Sequence, residues 1–287
     1  MSTGLERIAD KARKEPTLRF TSLAHHLTPE RLWGALHPMP KATAPGTDGM
    51  TQPDAVDGFA TWAPPLLAAV HRRGYRPPVV RRVWIPKPGK AAKRPLGVPT
   101  VIDRTLQRTT AEVLNAIDEQ DVLDGSLGGR PGRGAHHALA TRNATIAGQR
   151  VSGVLEADLQ HVFGSLDPHG MMRCVEHRVG DPRILCRIRR WLTAGVLEEG
   201  RTYANTEGTP QGGSIRGLLS NVSWHDVLDL WFEKAIKPRL TGEAYLVRSI
   251  DACVVCFERR QDAVRFQQVL HRRLSQCRLT LEPTKTR

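Results

Sequence analysis

The chain has 287 residues and carries 42 Lys and Arg against 29 Asp and Glu, a formal net charge of +13 and a sequence pI near 10.1. Its 40% hydrophobic content excludes disorder throughout and suffices for the core of one large domain or two ordinary ones. No apolar run approaches the roughly 18 to 20 residues of a membrane helix, and the N-terminus lacks the apolar stretch of a secretion signal, so a soluble, cytoplasmic protein is expected. Thirty-three of the 42 cations are Arg, whose planar, forked guanidinium suits phosphate.

Residues 1–37 read as helical, Lys41 to Gly49 as loop, and Thr61 to Arg73 as an amphipathic helix. Between His71 and Arg108 stand eleven cations against the single acid Asp103, so most of the net charge lies in about an eighth of the chain. Val79 to Ile85 alternates like a strand, Pro86-Lys-Pro-Gly-Lys90 reads as a turn, and Arg94 to Pro99 returns as a second extended segment, together a basic β-hairpin. Most charge runs are solvated faces. Here Gly and Pro stiffen the run, and Trp84 and Tyr75 stand among the cations where they could stack on bases, which favours binding of nucleic acid or a nucleoside triphosphate. Asp103 is read as the cap of a helix through Ile117, and Ser126 to Gly134 is a glycine-rich loop with two arginines.

In the second half, Gly153-Val-Leu-Glu-Ala-Asp158 is an apolar strand ending in a carboxylate, and helices follow to about Thr193. Thr206 to Gly213 is a turn opening a long helix through about Ala235. Tyr245 to Phe257 reads as two strands meeting at a tight turn around Asp251, with a helix from Gln261 to Gln276 and a last strand at Leu279 to Glu282. The order strand, helix, two strands, helix, strand predicts an α+β fold with an antiparallel sheet in a split βαβ (ferredoxin-like) layout. Asp158 and Asp251 each stand where an apolar strand gives way to a turn. Paired strands would bring both to one sheet end, the geometry for holding Mg²⁺, although a lone Asp after a strand is more often a turn residue or helix cap. Cys253 and Cys256 form a CxxC without a second pair of soft ligands at zinc spacing, so they are read as buried strand residues.

Thr47-Asp48-Gly49, Arg82 to Lys87, Lys93 to Pro99, Gly129 to His136, Ala157-Asp-Leu159, Gly208-Thr-Pro-Gln-Gly-Gly213 and Pro283 to Thr286 resemble, in order, motifs of the reverse transcriptases encoded by bacterial group II introns, also called intron maturases. The resemblance runs from about residue 40 to the C-terminus. It implies a right-hand polymerase: a helical extension over 1–40, fingers over 41–150 and a palm over 151–287. By the same resemblance Lys87 and Arg94 grip the incoming deoxynucleoside triphosphate, and Asp158 and Asp251 hold two Mg²⁺ ions. Phe163 gates against the ribose 2′-hydroxyl, Gln211 and its glycines bind the nucleotide by letting template and nucleotide approach the backbone closely, and Lys285 protonates pyrophosphate. Arg81, Arg82, Arg130 and Arg133 are expected to contact nucleic acid. The implied partners are an RNA template, a DNA primer and an intron RNA, with no membrane.

The catalytic turn departs from the family. Tyr-Ala-Asp-Asp is here Ser249-Ile250-Asp251-Ala252, the Phe-Asp after the first catalytic Asp is Phe163-Gly164, and Arg216-Gly217 replaces Ser-Pro. Hard divalent cations depend on the number and charge of oxygen ligands, so loss of a carboxylate at 252 predicts weakened metal binding. The thumb or maturase and endonuclease domains are expected to be absent. The competing expectation is a non-catalytic RNA-binding remnant or an RNA-folding protein.

Overall fold

The structure, a computed structural model, describes residues 3–86, 89, 93–160, 168–204, 212–277, 279–282 and 286. The chain forms two compact units, each from two stretches: residues 1–121 with 175–216, and residues 122–174 with 217–287. The fold is α+β. No helix among the described residues is long and apolar enough to cross a membrane.

In the first unit, α1 (Gly4–Lys14) opens with a capping box in which Thr3 and Glu6 satisfy each other's backbone N–H. Next come α2 (Pro29–Leu36), α3 (Gln52–Asp57), α4 (Phe59–His71), β1 (Val80–Pro86), β2 (Lys93–Val98) and the 21-residue α5 (Val101–Asp121). The buried residues of α1 (Ile8, Ala12) and α2 (Leu32, Leu36) recur at four-residue spacing, and both helices pack on α5. The second stretch adds α8 (Pro182–Leu192), β4 (Val196–Glu198) and β5 (Arg201–Tyr203). The sheet runs β2-β1-β4-β5, with β1 antiparallel to β2, parallel to β4, and β4 antiparallel to β5.

Asp103 organises this unit. It is not the cap expected from the sequence: Thr100 Oγ1 accepts from the Asp103 N–H at 3.2 Å, and the Asp103 carboxylate, 3% exposed, turns inward. It accepts from the Tyr75 hydroxyl (2.8 Å), Trp191 Nε1 (2.7 Å) and Gln107 Nε2 (3.0 Å), joining the segment after α4, α8 and its own helix. Burial pushes its pKa up against the pull of these donors. The Tyr75 hydroxyl is thus committed to Asp103, and burial together with Asp103 raises its phenol well above the usual value. Gln107 extends the chain of contacts, its Oε1 lying 3.5 Å from the Ile215 N–H.

In the second unit α6 (Ala135–Gly148), β3 (Gly153–Gln160), β6 (Ala244–Ser249), β7 (Ala252–Phe257), α10 (Arg260–Gln276) and β8 (Thr280–Leu281) build an antiparallel sheet in the order β6-β7-β3-β8. α7 (Pro168–Arg178) crosses the chain boundary between the stretches at residues 174 and 175, and α9 (Arg216–Trp224) that at 216 and 217, α9 continuing through wide π-type turns over His225–Asp229 and Phe232–Ile236. α10 buries Phe266, Leu270 and Leu274 against the face that carries Leu155 and Ala157. The opposite face carries exposed Val154 and Glu156 and half-buried Asp158, and α6, with no buried residue, lies along β6 and β7.

Replacing Asp103 by Ala strands three buried donors, so the variant should lose about 3 kcal/mol or more of unfolding free energy in urea titrations. Tyr75→Phe, which removes one donor with its apolar ring intact, should cost about 1 kcal/mol.

Candidate active site

β3, β7 and β6 set the geometry of the two candidate metal ligands. Asp158 is the cross-strand partner of Ala252, and Ser249 pairs with the same Ala252, so Ile250 and Asp251 form a two-residue hairpin turn. Asp158 on β3 and Asp251 in the turn leading into the adjacent β7 thus stand at one end of the sheet, both half-buried. Cross-strand partners share a face, so the position where the family resemblance expects a further carboxylate lies directly opposite Asp158 and holds a methyl group. The carbonyl of Asp158 accepts from the Glu282 N–H at 2.8 Å, tying the strand end to the segment after β8.

The turn is strained. Ile250 has φ +58°, a region that β-branched residues avoid. It persists because Arg248, 1% exposed, is fixed from four sides. Its Nε and Nη2 donate to the two oxygens of Asp229 at 2.9 and 2.8 Å, and Nη1 donates to Asn221 Oδ1 at 3.0 Å. Nη2 also reaches Ser126 Oγ at 2.5 Å, and Nη1 donates to the carbonyl of Ile250 itself at 3.0 Å. The backbone of Arg248 closes the arrangement, its N–H donating to the Gly125 carbonyl and its C=O accepting from the Leu127 N–H. Gly128 permits this approach: a Cβ there would lie 2.5 Å from the Ile250 nitrogen. A buried bidentate ion pair therefore sets the backbone from which Asp251 projects.

The same loop holds two of the expected nucleic-acid contacts. Arg130 is 8% exposed and donates to the Ser126 carbonyl at 2.7 Å, bracing the loop, whereas Arg133 is exposed. Cys253 and Cys256 are buried with raised thiol pKa values, Cys253 up to about 12, and stand on opposite faces of β7, which excludes their sharing one metal.

In the first unit the β1/β2 hairpin has two faces. Ile85 pairs with Arg94, Val83 with Leu96 and Arg81 with Val98 on one; Trp84 pairs with Pro95 and Arg82 with Gly97 on the other. Arg94 is exposed. Arg81 donates twice to the Pro45 carbonyl, at 3.1 and 2.7 Å, fixing the loop before α3, while Arg82 lies 3.8 Å from Glu198. A Cβ on Gly212 (φ +129°) would lie 2.1 Å from the Gly97 carbonyl oxygen, and one on Gly213 2.8 Å from Gln107 Oε1. Those two glycines are thus required by the protein's own backbone and by Gln107, where close approach of template and nucleotide was expected. Lys87, Phe163, Gln211 and Lys285 lie outside the described residues.

Two carboxylates, one on a strand and one in the neighbouring hairpin turn, are hard oxygen donors that suit Mg²⁺, but the fit is partial: among the described residues no three His, Cys, Asp or Glu converge as a metal site. The sequence reading missed Arg248, Asp229 and Asn221. One signal was available, a lone cation in the apolar strand Tyr245 to Ile250, where an inward-facing Arg demands a carboxylate partner.

The profile of the family described as reverse transcriptase (RNA-dependent DNA polymerase) matches residues 85–287. The chain belongs to the reverse transcriptase family. It is 34% identical over 246 residues to protein YkfC of Escherichia coli K12, covering 83% of this chain and 63% of YkfC. It is 29% identical over 247 residues to the group II intron-encoded protein LtrA of Lactococcus lactis, covering 83% of this chain and 41% of LtrA. An uncharacterized 91 kDa protein in the cob intron of Schizosaccharomyces pombe is 29% identical over 177 residues, 61% of this chain and 22% of that protein. The chain thus spans between about two fifths and three fifths of the length of the two relatives that it matches over most of its own. Within this family reading, Asp158 and Asp251 fall inside the matched residues.

Arg248→Ala leaves Asp229 buried without its counter-charge and should cost about 3–5 kcal/mol in chemical denaturation, whereas Ser126→Ala, which removes one of several contacts, should cost about 1 kcal/mol.

Proposed function

We propose that this chain is an RNA-directed DNA polymerase of the group II intron type, working on an RNA template with a DNA primer and deoxynucleoside triphosphates. The observation that carries this reading is the placement of Asp158 and Asp251 at one end of an antiparallel sheet by the β3/β7 and β6/β7 registers. The sheet order β8-β3-β7-β6, with α10 on one face, supports reading the second unit as a split βαβ palm, and we read the basic β1/β2 hairpin as fingers.

In this reading Asp158 and Asp251 hold two Mg²⁺ ions, which when bound supply Lewis-acid activation of the primer hydroxyl and charge stabilisation at the leaving pyrophosphate. Arg248 keeps Asp251 aimed by fixing the Ile250 carbonyl. Arg94, exposed on the hairpin face next to Gly212, pairs with the triphosphate, and Lys87 acts with it. Arg81 and Arg130 serve the fold that presents these groups, and Arg82 and Arg133 steer nucleic acid. Phe163 excludes a ribose 2′-hydroxyl, Gln211 orients the nucleotide, and Lys285 delivers the proton to pyrophosphate.

A second reading, a non-catalytic RNA-binding or RNA-folding protein, is favoured by one feature: Ala252 stands opposite Asp158 where another carboxylate would complete the ligand set. Primer extension on an RNA template with Mg²⁺ or Mn²⁺ separates the two. Slow extension is expected, reduced at least about 100-fold by Asp158→Ala or Asp251→Ala, with Arg94→Ala raising the nucleotide KM about tenfold. RNA binding without any metal-dependent extension establishes the second reading instead.

A related outcome concerns position 252. Ala252→Asp adds an oxygen donor across from Asp158 and should tighten Mn²⁺ binding about tenfold, measured by electron paramagnetic resonance titration of free Mn²⁺.

A further inference from the structure

Among the exposed large hydrophobic side chains, Trp84 (48% exposed), Ile85 (44%) and Tyr203 (50%) all belong to the β2-β1-β4-β5 sheet. Trp84 lies on the face opposite Arg94. The β1/β4 register aligns Val80 with Val196, and the β4/β5 register aligns Val196 with Tyr203 and Glu198 with Arg201, so Arg82, Trp84, Glu198, Arg201 and Tyr203 share that face. Lys93, opposite Pro86, joins them.

Singly exposed aromatics are ordinary. Three features set this face apart. The Trp84 indole is held in place, its Nε1 donating to Glu198 Oε1 at 2.6 Å with the Arg82 guanidinium 6.0 Å from the ring centroid. With the N–H satisfied, only the π-face is left to recognise a partner. The cross-strand neighbours of Trp84 and Arg82 are Pro95 and Gly97, too small to cover the ring. Three cations, Arg82, Lys93 and Arg201, stand against Glu198, which Trp84 and Arg82 already engage, so the face is complementary to a polyanion.

We infer that this face is a stacking platform for unpaired RNA, distinct from the hairpin face that carries Arg94. Strand spacing of about 4.8 Å and a rise of about 3.3 Å per residue put Trp84 and Tyr203 roughly 16 Å apart, a gap that several unpaired nucleotides span. Bases stack on the two rings while Arg82 and Arg201 meet the intervening phosphates and Lys93, beyond Trp84, meets a flanking one; base-paired RNA keeps its bases inside the duplex and gains only the charge.

The test is fluorescence anisotropy of a labelled 12-nucleotide oligouridylate with the full chain, without metal or nucleotide. Trp84→Ala and Tyr203→Ala should each weaken binding about 5- to 100-fold, Trp84→Phe should restore most of the loss, and Arg201→Ala should reduce the slope of log affinity against log salt by about one. A blunt RNA duplex of the same length should bind the wild type and Trp84→Ala equally, and thermal melts of the variants should match the wild type. Unchanged oligouridylate affinity in the Trp84→Ala, Tyr203→Ala double variant overturns the inference, as does an equal loss for duplex, which would mark a general polyanion patch. Because neither metal nor nucleotide is present, a chain that fails primer extension yet shows Trp84-dependent binding keeps this platform and loses the polymerase reading.

Discussion

The buried pair of Arg248 and Asp229 is the constraint on which the second unit rests. A guanidinium that is 1% exposed needs a full set of acceptors, and the chain supplies them from distant segments: Asp229 and Asn221 from the helical region after residue 216, Ser126 from the glycine-rich loop, and the Ile250 carbonyl from the hairpin turn. Removing water from such a group is costly, so a structure with any of these acceptors displaced is disfavoured. The arrangement holds Ile250 at φ +58°, a conformation that the residue would not adopt on its own. Local strain at the turn is maintained by a network several residues away.

The first unit follows the same rule with the opposite sign of charge. Asp103 gathers donors from Tyr75, Trp191 and Gln107, and Gln107 carries the network on to the Ile215 backbone beside Gly213. Glycine at 212 lets that turn lie against β2 at Gly97. Residues that suggested ligand contact when read singly thus have structural partners: Tyr75 serves Asp103, Arg81 serves the Pro45 carbonyl, and Arg130 serves the loop of Ser126. In both units, polar side chains inside the fold shape the backbone, while Arg94, Arg133 and Trp84 face outward.

Departures from the family pattern gain physical content from the register. Ala252 is not merely a missing carboxylate in a motif, since it is the residue paired with Asp158. The charge of a set of two carboxylates is lower than three would provide.

Much of the architecture was legible in the sequence because it follows from local periodicity and turn chemistry. Alternation in Val79 to Ile85 and in Tyr245 to Phe257 gave both hairpins, and four-residue apolar spacing gave the helices that pack on α5 and on the sheet. Ordered motifs gave the family, and the paired strands predicted around Asp158 and Asp251 are present. What the sequence could not determine is which polar residue meets which. Asp103 read as a helix cap by its local context, yet partners 28 and 88 residues away draw it into the core and leave the capping to Thr100. Arg248 read as one more cation of the excess, and only the tertiary fold, by closing Asp229, Asn221 and Ser126 around it, made it the group that fixes the Ile250–Asp251 hairpin turn. Periodicity is a property of neighbouring residues, whereas the pairing of buried charge is decided by chain segments that only folding brings together.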